Sequence, residues 1–256
     1  MRKAGDLIRE YLREGRLAAN RSQPIGAGSY GTVYQSDIPG NVIKQKHGYD
    51  TYDFVEEADL QSAAADMGIA PRVVEVETFP GGVGDRIEMT DARINYKPVA
   101  AEGDAWGAPG VGEAIDPAIR IKTAQQQGML ALKGIRLEDR RGANIMQHKM
   151  TGRPLQLDFG IAGKMSPDQQ AAHLAHVTAE GFEAAGIEEL GGILRATVMD
   201  YLEGGQVKEA MDVAKQGFSR LQKIKAPVVA PTTKDPGEDM FEQMMANLEK
   251  WKPSSD

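Results

Sequence analysis

The chain has 256 residues, with 29 Gly, no Cys, and 30 Lys and Arg set against 37 Asp and Glu for a formal net charge of −7. Without cysteine there is no disulfide, no thiol nucleophile, and no thiolate for zinc or an iron–sulfur cluster. The acidic balance argues against a general binder of nucleic-acid phosphate, and no uncharged apolar run approaches the ~18 residues of a membrane span. The expectation is a soluble cytoplasmic protein that engages neither nucleic acid nor membrane. Glycine, at 29 of 256 or about 11%, exceeds the usual ~7% and asks where the backbone needs freedom.

Residues 5–18 place Leu7, Ile8, Tyr11, Leu12 and Leu17 at near-helical spacing, which predicts a short amphipathic helix in an N-terminal extension, 1–20. Strand-like pieces follow at Ile25, at Thr32-Val33-Tyr34, and over 41–46, with Asp37-Ile38-Pro39-Gly40 as a turn. Residues 53–67 read as a helix that offers Phe54, Ala58, Leu60, Ala64 and Met67 for packing and stops at Gly68. Strands are expected over 71–77 and 86–89, joined by a turn at Pro80-Gly81-Gly82. Residues 98–117 are rich in Gly, Ala and Pro and predict an irregular connection. A helix is expected over 119–132, then strands at 144–146 and 155–157 around the turn Thr151-Gly152-Arg153-Pro154. From Asp168 the pattern is helical, with Gly204-Gly205 separating two helices. Residues 226–237 read as a linker before a short helix, about 238–251, whose Met240, Phe241, Met244 and Met245 form a core-capping or partner-binding face. The order is a strand-rich half, 21–90, a hinge near 88–98, and a mostly helical half, 91–225, with a tail of 226–256. That is an α+β, two-lobed layout.

The glycines at 26, 28 and 31 in Ile25-Gly26-Ala27-Gly28-Ser29-Tyr30-Gly31 permit a tight turn and close backbone approach to a phosphate. A dinucleotide-binding loop would lead directly into a helix. Here Thr32-Val33-Tyr34 and a second strand follow, so the loop joins two strands and reads as a flap over a nucleotide or as a plain hairpin turn. Lys44 ends the apolar run Val42-Ile43, either as a solvated strand end or as a cation for phosphates. Glu57, or Glu56 in another helix register, could hold that lysine extended. Asp139 and Asn144 lie five apart in a loop, and Asp158-Phe159-Gly160 begins fourteen residues after Asn144. Phosphoryl transfer from ATP needs a carboxylate near the acceptor hydroxyl and oxygen ligands for Mg²⁺, and this series supplies both. His173, His176 and Glu180 share a helical spacing that could suggest zinc, although three ligands on one helix make a poor closed site and solvated histidines are the simpler reading.

Taken in this order, residues from about 24 to 160 resemble the protein kinase family. The resemblance implies a small antiparallel sheet with one helix above a reduced helical lobe. It implies that Gly26, Gly28 and Gly31 cover the phosphates of ATP, with Ser29 and Val33 beside them, and that Lys44, positioned by Glu57, contacts the phosphates. Asp139 would be the catalytic base or the carboxylate that orients the acceptor hydroxyl, while Asn144 and Asp158 would coordinate Mg²⁺. Ile87 to Thr90, including Glu88 and Met89, would hold adenine through the backbone. Arg141 falls where many members carry a γ-phosphate lysine, or is a solvated loop residue. The chain departs from the pattern too. Leu137-Glu138 replaces the family's His-Arg before the aspartate, Ala-Pro-Glu is missing, and Ser166-Pro167-Asp168 arrives too soon for a usual activation segment. The helical half also lacks the Asp-x-Trp-x-x-Gly helix. The resemblance implies a compact, divergent phosphotransferase, dependent on ATP and Mg²⁺, that moves the γ-phosphate to Ser or Thr of a protein and is not switched by activation-segment phosphorylation. A pseudokinase scaffold, a small-molecule kinase and an AMP transferase are the alternatives on the same fold.

Overall fold

The computed structural model of the chain describes residues 24–27, 31–47, 53–79, 84–99, 115–137, 144–160 and 162–225. The helix expected over 5–18, the loop tip with Gly28 and Ser29, the turn at 80–82, most of the 98–117 connection, the loop with Asp139 and Arg141, and the tail from Ala226 lie outside these residues.

Five strands, β1 (Pro24–Ala27), β2 (Gly31–Gln35), β3 (Asn41–Lys46), β4 (Val73–Glu77) and β5 (Arg86–Thr90), form an antiparallel sheet in the order β1-β2-β3-β5-β4. Pro24 cannot donate to a ladder and stands accordingly on the outermost strand. β3 is an inner strand buried along most of its length, which is why Val42 and Ile43 run together without alternation. Helix α1 (Phe54–Asp66) starts where the Asp53 carboxylate accepts from Val55 N at 2.8 Å and Glu56 N at 3.2 Å. It ends before Gly68, whose φ of +67° suits a residue without Cβ. Phe54, Glu57, Ala58, Leu60, Gln61 and Ala64 make its buried face, and Phe54 and Ala58 pack on Ile87 of β5. Two polar residues therefore sit inside an apolar stripe.

After β5 a 3₁₀ turn (Ala92–Ile94) leads into β6 (Tyr96–Pro98), which joins β8 (Ile145–His148) and β9 (Pro154–Gln156) in a three-stranded sheet, β6-β8-β9. Helix α2 (Pro117–Leu132) begins with Pro at its first position behind Asp116, whose carboxylate accepts from Ala118 N at 2.7 Å. β7 (Ile135–Arg136) pairs with β10 (Gly163–Lys164), and α3 (Pro167–Ala184), α4 (Glu188–Glu203) and α5 (Val207–Lys223) complete the helical half.

This is the expected α+β architecture, with differences in its parts, among them the strands β6, β7 and β10, which have no signal in the sequence, and the shifted bounds of β8 and β9. The strand expected from Pro71 starts at Val73, because Pro71 O accepts from the buried Gln61 Nε2 at 3.0 Å. The helix expected from Ile119 starts two residues earlier, at its cap. Three helices stand where two were expected after Asp168. The extra break is at Gly186, φ +73°, where Ile187 N reaches back to Phe182 O at 2.9 Å and closes the end of α3.

The helical core gathers Ile121, Leu174, Phe182, Leu194, Phe218 and Leu221. Glycines let its helices approach. A Cβ on Gly128 of α2 would overlap the Phe218 ring, one on Gly181 of α3 would meet Leu221 at 2.6 Å, and one on Gly217 of α5 would meet Leu194 at 2.6 Å. No helix among the described residues is long and apolar enough to cross a membrane.

Candidate functional site

Lys44 is opposite Val33 on one side and Ile87 on the other, which fixes its place in the middle of the sheet. The residue is buried, with 7% of its surface exposed. Its Nζ donates to Glu57 Oε1 at 2.7 Å and to Asp158 Oδ1 at 2.7 Å, and it stands 5.7 Å from the centre of the Phe54 ring. Burial is the largest influence on its pKa and lowers it. The charges and hydrogen bonds of Glu57 and Asp158 together outweigh burial and raise the lysine above its ordinary value, so the ammonium is held charged. The open choice between Glu56 and Glu57 is resolved by burial: Glu56 is exposed and Glu57 is 2% exposed.

Asn144 and Asp158 are brought to one end of the β8–β9 hairpin by its register. Ile145 pairs with Gln156, and Leu157 N donates to Asn144 O at 2.7 Å, so the residues just outside the hairpin meet. Asp158 has φ +54° and is the single non-glycine residue with positive φ among those described. Asp tolerates this left-handed conformation better than most residues, and Gly160 N donates to its Oδ1 at 3.3 Å. The next side chain, Phe159, is fully buried among Leu60, Ala64, Ile69, Leu130, Ile135 and Leu137. Residues on either side of Asp158 thus anchor it while its carboxylate remains partly exposed, at 27% of the side chain.

A carboxylate and a carboxamide at one end of a hairpin, beside a fixed ammonium, are a donor set that fits Mg²⁺ carried on phosphates. Mg²⁺ takes one or two protein oxygens and completes its shell with phosphate and water. Among the described residues no group of three His, Asp or Glu could hold a metal alone, and His176 instead stands 3.2 Å from Glu180 Oε1.

β1 and β2 are joined across the glycine-rich tip, and Gly26 pairs with Val33, which in turn faces Lys44. The two described glycines differ in what they need. A Cβ on Gly31 would lie 2.7 Å from Gln45 O, so this residue is small because β3 is close. Among the described residues, a Cβ on Gly26 would meet only Val33 Cβ, at an ordinary 3.9 Å, so their packing does not demand glycine there.

Glu88 and Met89 correct an expectation. Both lie inside β5, flanked by β3 (Ile43 opposite Glu88, Val42 opposite Met89) and by β4. Their backbone groups belong to a central strand, so they are not free to hold an adenine edge. Glu88 Oε1 accepts instead from Ser36 Oγ at 2.7 Å and Asn41 Nδ2 at 2.9 Å, and Met89 Sδ receives Gln61 Nε2 at 3.4 Å. The Ser36–Asn41–Glu88 network has no motif in the sequence. A Glu between Ile87 and Met89 in a strand was its one available signal.

No family model matches the chain, and neither does any curated protein. Among solved structures it is similar to the PknI kinase domain of Mycobacterium tuberculosis, at 20% identity over 63% of this chain and 70% of that one, with a TM-score of 0.42. It is also similar to a choline/ethanolamine kinase family protein from Mesorhizobium loti, at 13% identity over 86% of this chain and 95% of that one, with a TM-score of 0.41. At these scores the likeness carries nothing about its chemistry, which rests on the contacts of Lys44, Glu57 and Asp158.

Proposed function

We propose that the protein is a phosphotransferase that uses ATP and Mg²⁺ and moves the γ-phosphate to a hydroxyl. The observation that carries this reading is the buried ammonium of Lys44, held between Glu57 and Asp158 at 2.7 Å from each. A lysine fixed in this way is a pre-formed cation for phosphate oxygens, and fixing it beforehand avoids reorganisation during reaction. When bound, Mg²⁺ supplies the charge neutralisation that a triphosphate needs. Asn144 and Asp158 offer it oxygens. Gly26, with Gly28 and Ser29 beyond it, provides backbone next to the phosphates. Asp139 accepts the proton of the acceptor hydroxyl, and Arg141 adds positive charge near the transferred group.

The acceptor implied by the sequence resemblance is Ser or Thr of a protein. One observation favours a small hydroxyl compound instead. Only six residues separate Gly160 from the first residue of α3, Pro167, and they include β10, which is spent on pairing with β7. This leaves little chain with which to align an extended peptide.

The test uses ATP labelled on the γ-phosphate in parallel with ATP labelled on the α-phosphate. Transfer of γ-label by the intact protein, abolished by Lys44→Ala and by Asp158→Ala, supports phosphotransfer. Label from the α-position alone establishes AMP transfer. ATP binding with no transfer to protein, peptide or small alcohols moves the reading to a nucleotide-binding scaffold.

A further inference from the structure

We propose that the β8–β9 hairpin is a rigid strut linking the turn between the two halves to the Asn144–Asp158 end of the site, and that Lys149 at its tip is a positioning residue. The tip grips the connecting turn. Lys149 Nζ donates to Arg93 O at 2.9 Å and Ile94 O at 3.0 Å, while Lys149 N donates to Asn95 O at 2.9 Å. These are terminal carbonyls of the 3₁₀ turn, which would otherwise rely on water. The same tip also reaches the helix that carries Glu57, because Arg153 Nη2 donates to Met67 O at the end of α1, at 3.3 Å.

The turn is fastened from its other side as well. Asp91 N donates to Gly40 O at 2.8 Å, and the Asp91 carboxylate accepts from Arg93 N at 3.0 Å and from the Arg93 guanidinium at 2.9 and 2.7 Å. Directly beyond the turn, β6 pairs with β8 through Tyr96–His148, Lys97–Gln147 and Pro98–Met146. The tip is stiff in its own right. His148 Nδ1 accepts from Met150 N at 3.1 Å and Thr151 N at 3.2 Å, Gly152 N donates to His148 O at 2.9 Å, and Gly152 takes φ +63°. At roughly 3.3 Å per residue, the five steps from Lys149 back to Asn144 put the tip about 16 Å from the other end of the hairpin. Lys44 belongs to the sheet half and Asn144 and Asp158 to the hairpin. Whatever fixes the hairpin against the turn therefore fixes the cation against the oxygens.

The test compares the full chain with Lys149→Met, with Lys149→Arg as the conservative rescue, and with Lys215→Met on the exposed face of α5 as a control. The first readout is amide hydrogen exchange without nucleotide. The strut predicts faster exchange in Lys149→Met at 92–95 and also at the far end, 157–160, on the order of tenfold. Lys149→Arg restores both. A change confined to 92–95 and 149–152 overturns the proposal.

The second readout rests on the phosphotransferase reading. The factor by which Mg²⁺ tightens ATP binding should fall by at least about threefold in Lys149→Met, with ATP affinity in the absence of Mg²⁺ unchanged. An unchanged factor overturns the strut. If the wild-type protein does not bind ATP, the phosphotransferase reading fails, and the exchange measurement alone decides the strut. Lys149→Gln, which keeps a shorter donor, takes the place of the Met variant should that one not fold, with the same far-end exchange deciding.

Discussion

Lys44 Nζ and Asp158 Oδ1 are 2.7 Å apart across a sequence separation of 114 residues. The first belongs to the middle of the five-stranded sheet and the second to the end of a hairpin in the other half. Their contact is where the two halves share a charge. Since Glu57 holds the same ammonium from α1, three separate elements depend on one side chain.

The first prediction follows from burial. Removing Lys44 leaves Glu57 charged in an interior site, so Lys44→Ala should cost about 3–5 kcal/mol of stability as well as the activity. The double variant Lys44→Met with Glu57→Leu removes both charges and fills the space, and it should recover most of that stability with no return of transfer. Urea unfolding of the two variants checks this. The pH dependence has a definite sign. Because the folded pKa of Lys44 is raised, its contribution is complete below the ordinary lysine value of 10.5 and is lost as pH climbs through the raised value. Wild type should therefore lose stability on the alkaline side more steeply than the double variant.

Asp158 gives the second prediction. Asn keeps the tolerance for positive φ and the short side-chain oxygen, whereas Ala keeps neither. Asp158→Asn should stay within about 1 kcal/mol of wild type, and Asp158→Ala should be less stable than Asp158→Asn by roughly 1 kcal/mol or more. Both should lose Mg²⁺-dependent transfer. Equal stability of the two in thermal melts would mean that backbone conformation at 158 carries little cost.

The third prediction separates two glycines that look alike in sequence. Gly31→Ala forces a methyl group to 2.7 Å from Gln45 O and should cost about 1–3 kcal/mol. Gly26→Ala places its methyl at 3.9 Å from Val33 Cβ and should change stability by less than about 1 kcal/mol while weakening ATP binding. Thermal melts with a parallel binding titration distinguish packing from ligand approach.

Phe159 supplies the fourth. It is 0% exposed, within a cluster drawn from α1, the loop after it, α2 and β7. Phe159→Ala should cost about 3–5 kcal/mol, and Phe159→Leu considerably less. If the ring serves to seat its neighbour, the Leu variant should keep transfer while the Ala variant loses it even at temperatures where it remains folded.

Much of the sheet half could be read from residues alone, because its signals are local. Asp53 at a cap, Gly68 at a stop and Gly40 in a turn each act within a few positions. The pairing of Lys44 with Glu57 was also accessible, since Glu57 stands on the apolar face with Phe54, Ala58 and Leu60. Glu88 and Met89 were misplaced because a strand end and the turn after it look alike until the partner strands are known. Nothing near Lys149 or Arg153 marks them as more than turn residues; the carbonyls their side chains reach lie 55 or more positions away. The break at Gly186 was hidden for a different reason. Gly181, Gly186, Gly191 and Gly192 crowd that region, and three of the four sit inside helices, where their purpose is set by what packs against them.

The glycine excess thus divides between the two halves in an unequal way. In the sheet half a few glycines shape turns or admit a ligand. In the helical half Gly128, Gly181 and Gly217 mark places where a side chain of another helix, Phe218, Leu221 or Leu194 respectively, lies directly over bare backbone. Surface substitutions elsewhere on α2, α3 and α5 leave those contacts intact, while a methyl group at any of the three displaces the Phe218, Leu221 or Leu194 side chain seated there. Change in this half is therefore constrained at such bare points. Outward-facing residues of these helices can change freely, whereas a side chain added at one of these points has to be matched by a smaller partner at 194, 218 or 221.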